Sequence, residues 1–433
     1  MKQRVAALGL MLALAGAGAA AQDKMPLREA VDLILKNNQQ VRIAAENAAG
    51  AELKIGESKS LYLPQVSIAG SCARMSLFSE LSISFLGQTY TFQFGLPNNY
   101  DMRATVMEQV FNWGRTARMV EMSKSGLDLA NDGVALTKHM LSYEIVPLFY
   151  GTLFFQEAIK VLDDTLKSFE KKLETAKQRY DAGLASSFDV DLLQVQISSV
   201  QAQRLDFLNN IDKFRIAFNT LSGRDPAAAF DPDGAFVFEP AVFSAGALFT
   251  EALENRVEFQ QWKHSVDLGR ASVALAKTGD KPTLAAGFDY EFRNGYMPDM
   301  TMIRGNWTAS LSLSYPIFDG FRVRAQVAEA QSGLRAVELR KADLERSVTQ
   351  EIQTALADLK VTEQKVEIEK VKIRQAEDSL RIAEERYRNG LLSATELIDA
   401  QNTVENTRLD ALQLVYNHTL SKFTLYRSCG RKI

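Results

Sequence analysis

Apolar residues along this chain follow two distinct periods, and each period occurs in two separate parts of the sequence. Residues 115–177 and 321–385 carry apolar side chains at spacings of three and four. This spacing keeps the side chains on one face of a helix, as in the seam of a coiled coil. Each tract is followed by another helical tract, residues 187–221 and 393–427. The pattern therefore predicts two long helical hairpins.

The turns of the two hairpins carry related sequences. The first reads RYDAGLASSFDVDLLQVQ and the second reads RYRNGLLSATELIDAQNT. The shared positions pair Tyr180 with Tyr387, Gly183 with Gly390, and Asp189 with Glu396. Each glycine stands where a helix must end, because glycine adopts the left-handed conformation without a Cβ penalty. A serine after each glycine provides an N-cap oxygen, and the acidic residue lies in the first turn of the next helix.

The second period is the alternation that is typical of β-strands. It is clearest in residues 284–293 and 307–315, where aromatic and aliphatic side chains alternate with charged or hydroxylic ones. Residues 65–75 and 102–110 alternate more loosely, and the aromatic-rich connection at 76–100 fits no single pattern. The apolar face of the clearer pair comprises Phe288, Tyr290, Phe292, Trp307, Leu311, Leu313 and Tyr315.

Shorter helical segments precede both strand pairs. Residues 27–61 read as a helix with a local break at two asparagines, and Pro64 ends it, because the residue before a proline is disfavoured in the α conformation. Residues 248–277 read as one helix before Pro282. Within the first long tract, Pro147 is expected to bend the helix or to end one segment of it.

The order of these segments predicts two related halves. Residues 1–21 combine basic residues, an apolar run and a small-residue cleavage site, which predicts a signal peptide. Residues 22–223 and 247–433 then each contain a helix, two strands and a long helical hairpin. Residues 224–246, with two Asp-Pro pairs and a glycine, are the predicted linker. After the signal peptide we find no stretch of about 20 apolar residues of the kind that forms a membrane helix.

Composition argues against several function classes. A net charge of −3 provides no basic excess for nucleic acid. The three histidines are isolated from one another, and Cys72 and Cys429 match no metal-binding or disulfide-rich spacing. No nucleophile elbow or phosphate-binding loop follows the signal peptide. We therefore expect no enzymatic activity, no metal site and no cofactor.

Strands with one apolar and one polar face fit two environments. One is an antiparallel sheet packed on its own core, and the other is a transmembrane barrel whose apolar face contacts lipid. Helix length favours the barrel, since the first long tract spans roughly 95 Å, too long for one compact domain. Single-chain membrane barrels have at least about eight strands. The four predicted strands therefore require several copies of the chain, and three copies would supply twelve.

On these features the chain resembles the TolC family of outer membrane efflux proteins. The resemblance covers nearly the whole mature chain and rests on the doubled Tyr-x-x-Gly tip, on Pro64 and Pro282 before the strands, and on the doubled order of elements. It implies a mainly α fold with β, in which a homotrimer forms a twelve-stranded barrel in outer membrane lipid on a periplasmic α-helical barrel. It also implies an exit duct that works with a periplasmic adaptor and an inner-membrane transporter.

The resemblance assigns roles to residues at the hairpin tips, which would form the periplasmic mouth. Glu396 and Asp399 match the acidic ring at the pore constriction. Tyr387 and Asp189 match positions that link the two hairpins and hold the mouth shut, whereas Leu392 replaces a basic residue of that link. Purely structural roles also fit these residues. The two tyrosines could pack in the coiled coil, and Asp189 and Glu396 could complement the positive charge of helix N-termini.

A second function class fits the same helices. A periplasmic coiled-coil structural or adaptor protein, with a small sheet domain and no pore, would also contain long hairpins. Aromatic side chains at both edges of the strands favour the channel. Recovery of the protein in the soluble periplasmic fraction would favour the adaptor.

Overall fold

The computed structural model describes residues 24–76 and 79–433, so the signal peptide predicted at residues 1–21 lies outside the described residues. In chain order the elements are β1 (Met25–Pro26), α1 (Leu27–Asn37), α2 (Gln39–Ser60), β2 (Gln65–Arg74), β3 (Ser79–Phe85), β4 (Gln88–Phe94), β5 (Asn98–Phe111), α3 (Arg115–Asp181), α4 (Ser187–Leu221), β6 (Pro232–Asp233), α5 (Ala245–Asn255), α6 (Val257–Ala276), β7 (Thr283–Arg293), β8 (Arg304–Ser314), α7 (Arg322–Arg388) and α8 (Ala394–Ser428).

Two helices of 67 residues, α3 and α7, set the length of the molecule. At 1.5 Å per residue each is about 100 Å long. The 35-residue helices α4 and α8 fold back along α3 and α7 respectively. Apolar side chains at helical spacing form the seam of the first pair, where Phe169 and Ala176 of α3 pack with Leu193 of α4. The two predicted hairpins are confirmed.

Helix α3 continues without interruption through Pro147. Proline inside a helix removes one hydrogen bond and costs about 3 kcal/mol or more. The side chains around it, Ile145, Val146 and Phe149, are all buried in one core cluster. The hydroxyl of Tyr416 also donates to the carbonyl of Pro147 at 3.3 Å. No segment ends at Pro147, because this packing outweighs the lost hydrogen bond.

The tract predicted as one helix at residues 248–277 is instead two helices, α5 and α6, separated by Arg256. Arg256 has an extended backbone with φ −72° and ψ 125°. Its guanidinium donates to Glu258 and Glu351, each at 2.6 Å, and to the carbonyl of Ser428 at 3.3 Å. Since Glu351 and Ser428 belong to α7 and α8, tertiary contacts decide this break.

Four strands form one antiparallel sheet in the order β2-β5-β7-β8. Directly opposite side chains share a face, and Val66, Val106, Phe288 and Ala309 form one such row across the sheet. Each of the outer strands, β2 and β8, has one partner in this sheet. The predicted strand pairs are therefore confirmed and lie side by side.

The sheet has one apolar and one polar face, as the alternation predicted. On the polar face, Arg103 donates to Glu291 at 2.8 Å and Thr105 donates to Asp289 at 2.6 Å. Tyr315, predicted to end the last strand, lies one residue beyond β8. The large exposed side chains of the apolar face are Ile68, Met102, Phe288, Tyr290, Phe292, Trp307, Leu311 and Leu313.

The connection at residues 76–100, which no sequence pattern resolved, contains a separate antiparallel hairpin of β3 and β4. Leu86 and Gly87 form its two-residue turn, with φ values of 50° and 85°. Two positive φ values are typical of type I′ turns, for which Asn-Gly and Asp-Gly are the usual sequences. Because leucine takes the first position of this turn, the sequence lacks the Asn-Gly or Asp-Gly pair that would have predicted a hairpin.

The largest core cluster lies where α3 passes α1. Ile34, Leu141, Ile145 and Phe149 are almost fully buried there. By length and composition alone, α3 contains a window that could cross a membrane, which the sequence pattern did not predict. Half of this window is buried inside the structure. The window therefore fits a helix whose apolar residues pack in a protein core.

Residues 224–246, the predicted linker, are also folded onto the helices. Strand β6 pairs in parallel with β1. Phe230 stacks on Phe218 of α4 with ring centroids 3.9 Å apart. The division into halves at residues 22–223 and 247–433 stays a prediction.

Candidate functional site

Both hairpins end in the same turn geometry. Gly183 and Gly390 follow the ends of α3 and α7 with φ values of 74° and 75°. The N–H groups of Leu184 and Leu391 then donate to carbonyls five residues earlier, at 2.7 and 2.9 Å. This is the Schellman arrangement that a glycine with positive φ permits. Both glycines therefore end helices at the tips, as their positions in the sequence predicted.

Each second helix begins with a reciprocal pair of hydrogen bonds. The N–H of Asp189 donates to Ser186 Oγ at 3.3 Å, and the N–H of Ser186 donates to Asp189 Oδ2 at 3.1 Å. Ser393 and Glu396 form the same pair at 3.3 and 2.9 Å, and the Ser393 hydroxyl adds a bond of 2.7 Å. The backbone and hydroxyl bonds from Ser393 lower the pKa of Glu396. Both acidic residues thus cap their helices.

Arg179 joins the two hairpins near their tips. Its Nη1 donates to the backbone carbonyl of Tyr387 at 2.6 Å, and its guanidinium carbon lies 5.0 Å from the centroid of the Tyr387 ring. Burial raises the pKa of Tyr387. The hydroxyl of Tyr387 has no hydrogen-bond partner among residues 24–76 and 79–433. Asp189 Oδ2 accepts a hydrogen bond in the cap of its own helix, and the negative charge of Asp189 acts together with burial to raise the pKa of Tyr387.

A second contact between the hairpins lies about two turns further from the tips. Lys172 of α3 lies 3.0 Å from Glu384 of α7, donates to Gln401 of α8, and donates to Ser168 at 2.9 Å. The side chain of Lys172 is 9% exposed, whereas that of Glu384 is 39% exposed. Burial lowers the pKa of Lys172, and the hydrogen bond and charge of Glu384 oppose this shift. We call the contacts of Arg179 with Tyr387, and of Lys172 with Glu384 and Gln401, the hairpin latch.

The remaining predicted residues lie on the surface of the single chain. Glu396 and Asp399 are exposed and lie about one turn apart on α8. Tyr180 is 49% exposed, whereas Tyr387 is 6% exposed. The two tyrosines of the doubled motif are therefore not equivalent, since only Tyr387 packs under the other hairpin.

Sequence reasoning missed Lys172, Glu384 and Gln401. One signal was present, because Lys172 follows Phe169 by three positions and so lies on the face of α3 that was predicted to be apolar. A charged residue at such a position needs a partner when the seam closes. The identity of that partner depends on how the hairpins pack.

The groups that could support other chemistry are scattered. Over residues 24–76 and 79–433, no group of three or more His, Cys, Asp or Glu side chains is placed to hold a metal. Cys72 and Cys429 are free, and they are exposed and buried respectively. The tips provide ionic and hydrogen-bonded contacts between two hairpins, together with exposed carboxylates.

Comparison with known families decides what kind of protein this is. A family model described as outer membrane efflux protein matches residues 30–224 and 248–431. The chain belongs to this family. As an outer membrane efflux protein it resides in the outer membrane and extends into the periplasm.

Named relatives of this outer membrane efflux protein come from bacteria. The outer membrane protein TolC of Escherichia coli is 23% identical over 428 residues, which cover 91% of this chain and 80% of TolC. The toluene efflux pump outer membrane protein TtgC of Pseudomonas putida is 21% identical over 417 residues, which cover 93% of this chain and 82% of TtgC.

Solved structures share the fold of this outer membrane efflux protein. CusC, described by its transmembrane channel formation, matches with a TM-score of 0.75 at 16% identity, covering 94% of this chain and 92% of CusC. The outer membrane protein VceC from Vibrio cholerae matches with a TM-score of 0.73 at 16% identity, covering 94% of this chain and 96% of VceC. The mainly helical fold with a small sheet is thus that of known outer membrane proteins.

Proposed function

We propose that three copies of this chain form the exit duct of an efflux or type I secretion system. Their twelve strands close one β-barrel in the outer membrane, and their hairpins form one α-helical barrel in the periplasm. The duct is a passive conduit. An inner-membrane transporter supplies the energy, and a periplasmic adaptor connects it to the hairpin tips.

The four-stranded sheet carries this proposal. Strands β2 and β8 each have one partner in the sheet, so one edge of each is open. In a membrane every backbone polar group must be paired, which strands achieve only in a closed barrel. The four strands are 10, 14, 11 and 11 residues long, which suffices to cross a membrane. Pairing β8 of one copy with β2 of the next would close the barrel.

The other end of the helices supports a mouth that can close. The hairpin latch ties α3 to α7 and α8 within one chain. We assign it the role of holding the two hairpins together when the mouth is shut. Glu396 and Asp399 are exposed on α8, and three copies would place a ring of carboxylates around the pore. We assign this ring to cation binding at the constriction.

The proposal is tested first by mass and conductance. We expect protein extracted from the outer membrane to have three times the chain mass after correction for detergent. We also expect it to conduct ions in planar bilayers. A monomer or dimer that needs no detergent, recovered from the soluble periplasm, would overturn the channel and favour the coiled-coil adaptor.

Substitution of Asp399 tests the proposed constriction. We expect Asp399→Asn to weaken block of the pore by hexaamminecobalt(III), because three carboxylates in a narrow, poorly screened pore attract a trivalent cation. The concentration for half block should rise about tenfold, a change of about 1.4 kcal/mol. Asp399 is a better choice than Glu396, which also caps α8. Titration of single-channel current measures the effect.

A matched control exists three turns along the same helix. Asp410 is 62% exposed and lies 3.5 Å from Lys372. Asp410→Asn should leave the block unchanged. Equal block of the wild type and of Asp399→Asn would show that Asp399 does not line the constriction.

A further inference from the structure

A groove lies where α6 ends, β8 leaves the sheet and α7 begins. Its volume is about 760 Å³. Basic and apolar side chains line it together with the carboxylates of Asp280 and Asp319, and those used below are Lys277, Lys281, Arg324, Ile317, Phe318 and Phe321. This combination of cations and exposed apolar surface has no role in the proposed duct.

The groove adjoins the apolar face of the sheet. Along β8 and beyond, the alternate residues Leu311, Leu313, Tyr315 and Ile317 are all exposed, and Ile317 is 90% exposed. Phe321 is the N-cap residue of α7 and has φ 64°, a conformation that aromatic residues rarely adopt. Since the strands lie in the outer membrane and the helices in the periplasm, the groove lies at the periplasmic boundary of the membrane.

Two cations of the groove lack a partner. Of the charged residues that line it, Lys281 lies 3.3 Å from Asp280, and Asp319 lies 3.9 Å from Arg322, which is outside the lining. Lys277 and Arg324, in contrast, have no carboxylate within ion-pair distance in the part of the chain that the structure describes. Both are exposed. The groove therefore presents unpaired positive charge beside apolar surface.

The corresponding junction of the first half lacks two of the three basic residues that line the groove, but it keeps the third, because Lys59 corresponds to Lys277. At the offsets that align the prolines and the tips of the two halves, Leu63 corresponds to Lys281 and Ala117 to Arg324. The residue before Arg324, Val323, is buried, and so is its counterpart Thr116. The buried residue at the start of the long helix is thus shared by both halves, and this packing does not require a cation at the position of Arg324.

We propose that this groove binds an anionic phospholipid of the periplasmic leaflet. The phosphate lies between Lys277 and Arg324, because basic residues attract anionic headgroups at a membrane surface. The acyl chains lie along Ile317, Phe318 and the apolar face of β8. Aromatic side chains such as Phe321 suit this interface. The inference goes beyond the proposed duct, since it needs only the outer membrane location.

The test is competition between two lipids. The purified protein is placed in nanodiscs that contain equal amounts of phosphatidylglycerol and phosphatidylcholine, and the lipid retained after mild extraction is identified by native mass spectrometry. We expect the wild type to retain phosphatidylglycerol. The double variant Lys277→Gln and Arg324→Gln should retain about 30-fold less, and each single variant about fivefold less.

The first half provides the matched control. Lys59 corresponds to Lys277, and Arg118 lies beside Ala117 and pairs with Glu121 at 2.7 Å. The double variant Lys59→Gln and Arg118→Gln should retain as much phosphatidylglycerol as the wild type.

Three results would overturn the proposal. They are equal retention by the wild type and the variants at Lys277 and Arg324, equal retention of phosphatidylcholine, and no retained phospholipid. The last is the result expected when a neighbouring copy covers the groove. Lipid retention is measured by mass, whereas the proposed duct is tested by conductance. If only the duct were wrong, conductance would be absent and lipid would still be retained, so the two failures can be distinguished. Unchanged mass of the assembled protein in the single variants controls for folding.

Discussion

Replacing Lys172 and Arg179 together by methionine is expected to open the periplasmic mouth and to raise the conductance of the pore. Removing one partner of a fully buried ion pair costs about 3–5 kcal/mol. Because Glu384 is 39% exposed, water can solvate its carboxylate once Lys172 is replaced. We therefore expect the loss of Lys172 to destabilise the closed mouth by only about 1–2 kcal/mol. The ring contact and hydrogen bond of Arg179 add about 1 kcal/mol. The population of open mouths should therefore rise at least about tenfold.

Single-channel recording in planar bilayers measures this change. The matched control is Lys171→Met with Arg386→Met, since Lys171 is the exposed neighbour of Lys172 and Arg386 is the counterpart of Arg179 in the second tip. The control removes the same charge near the mouth and leaves the hairpin latch intact. Equal conductance in both double variants would show that the latch does not hold the mouth shut.

Replacing Leu311 by arginine is expected to abolish stable insertion of the barrel. Leu311 is 69% exposed on the apolar face and lies two residues from the centre of β8. An arginine facing lipid at the bilayer midplane costs about 2–4 kcal/mol. Every copy in the assembly carries the substitution, so the penalty is repeated around the barrel. We expect the detergent-resistant oligomer in the outer membrane to fall to a trace, measured by gel mobility of unheated membranes.

Substitution of the next residue, Ser312, tests which face of the sheet contacts lipid. Ser312 lies opposite Ala285 on the polar face, where a barrel would face water. Ser312→Arg should preserve the oligomer and change the ion selectivity of the pore. Normal insertion of Leu311→Arg together with loss of Ser312→Arg would reverse the assignment of the faces.

Local patterns predicted the main elements of this fold for a physical reason. The period of a helix and the alternation of a strand reflect which side chains face a neighbour, so they can be read without knowing the neighbour. The tips were equally readable, because Gly183 and Gly390 meet a backbone requirement and Ser186 and Ser393 cap the helices that follow. These elements depend on residues close in the sequence.

Where local patterns failed, contacts between distant segments decided the outcome. The break at Arg256 rests on Glu351 and Ser428, which lie far along the chain. The helix persists through Pro147 because its surroundings are buried. The β3–β4 turn contains Leu86 at positive φ, a choice that no turn preference anticipates.

The candidate site divides in the same way. By itself the sequence determined two hairpins with capped tips, two strand pairs with an apolar face, and the acidic residues that follow each tip. Only the tertiary structure decided that Tyr387 is buried under Arg179 while Tyr180 is exposed, and that Lys172 meets Glu384 and Gln401. The two tips share the Arg-Tyr pair, the glycine and the serine cap, so this shared motif does not distinguish the two tyrosines. The packing of α3 against α7 and α8 places one under its neighbour and leaves the other in solvent.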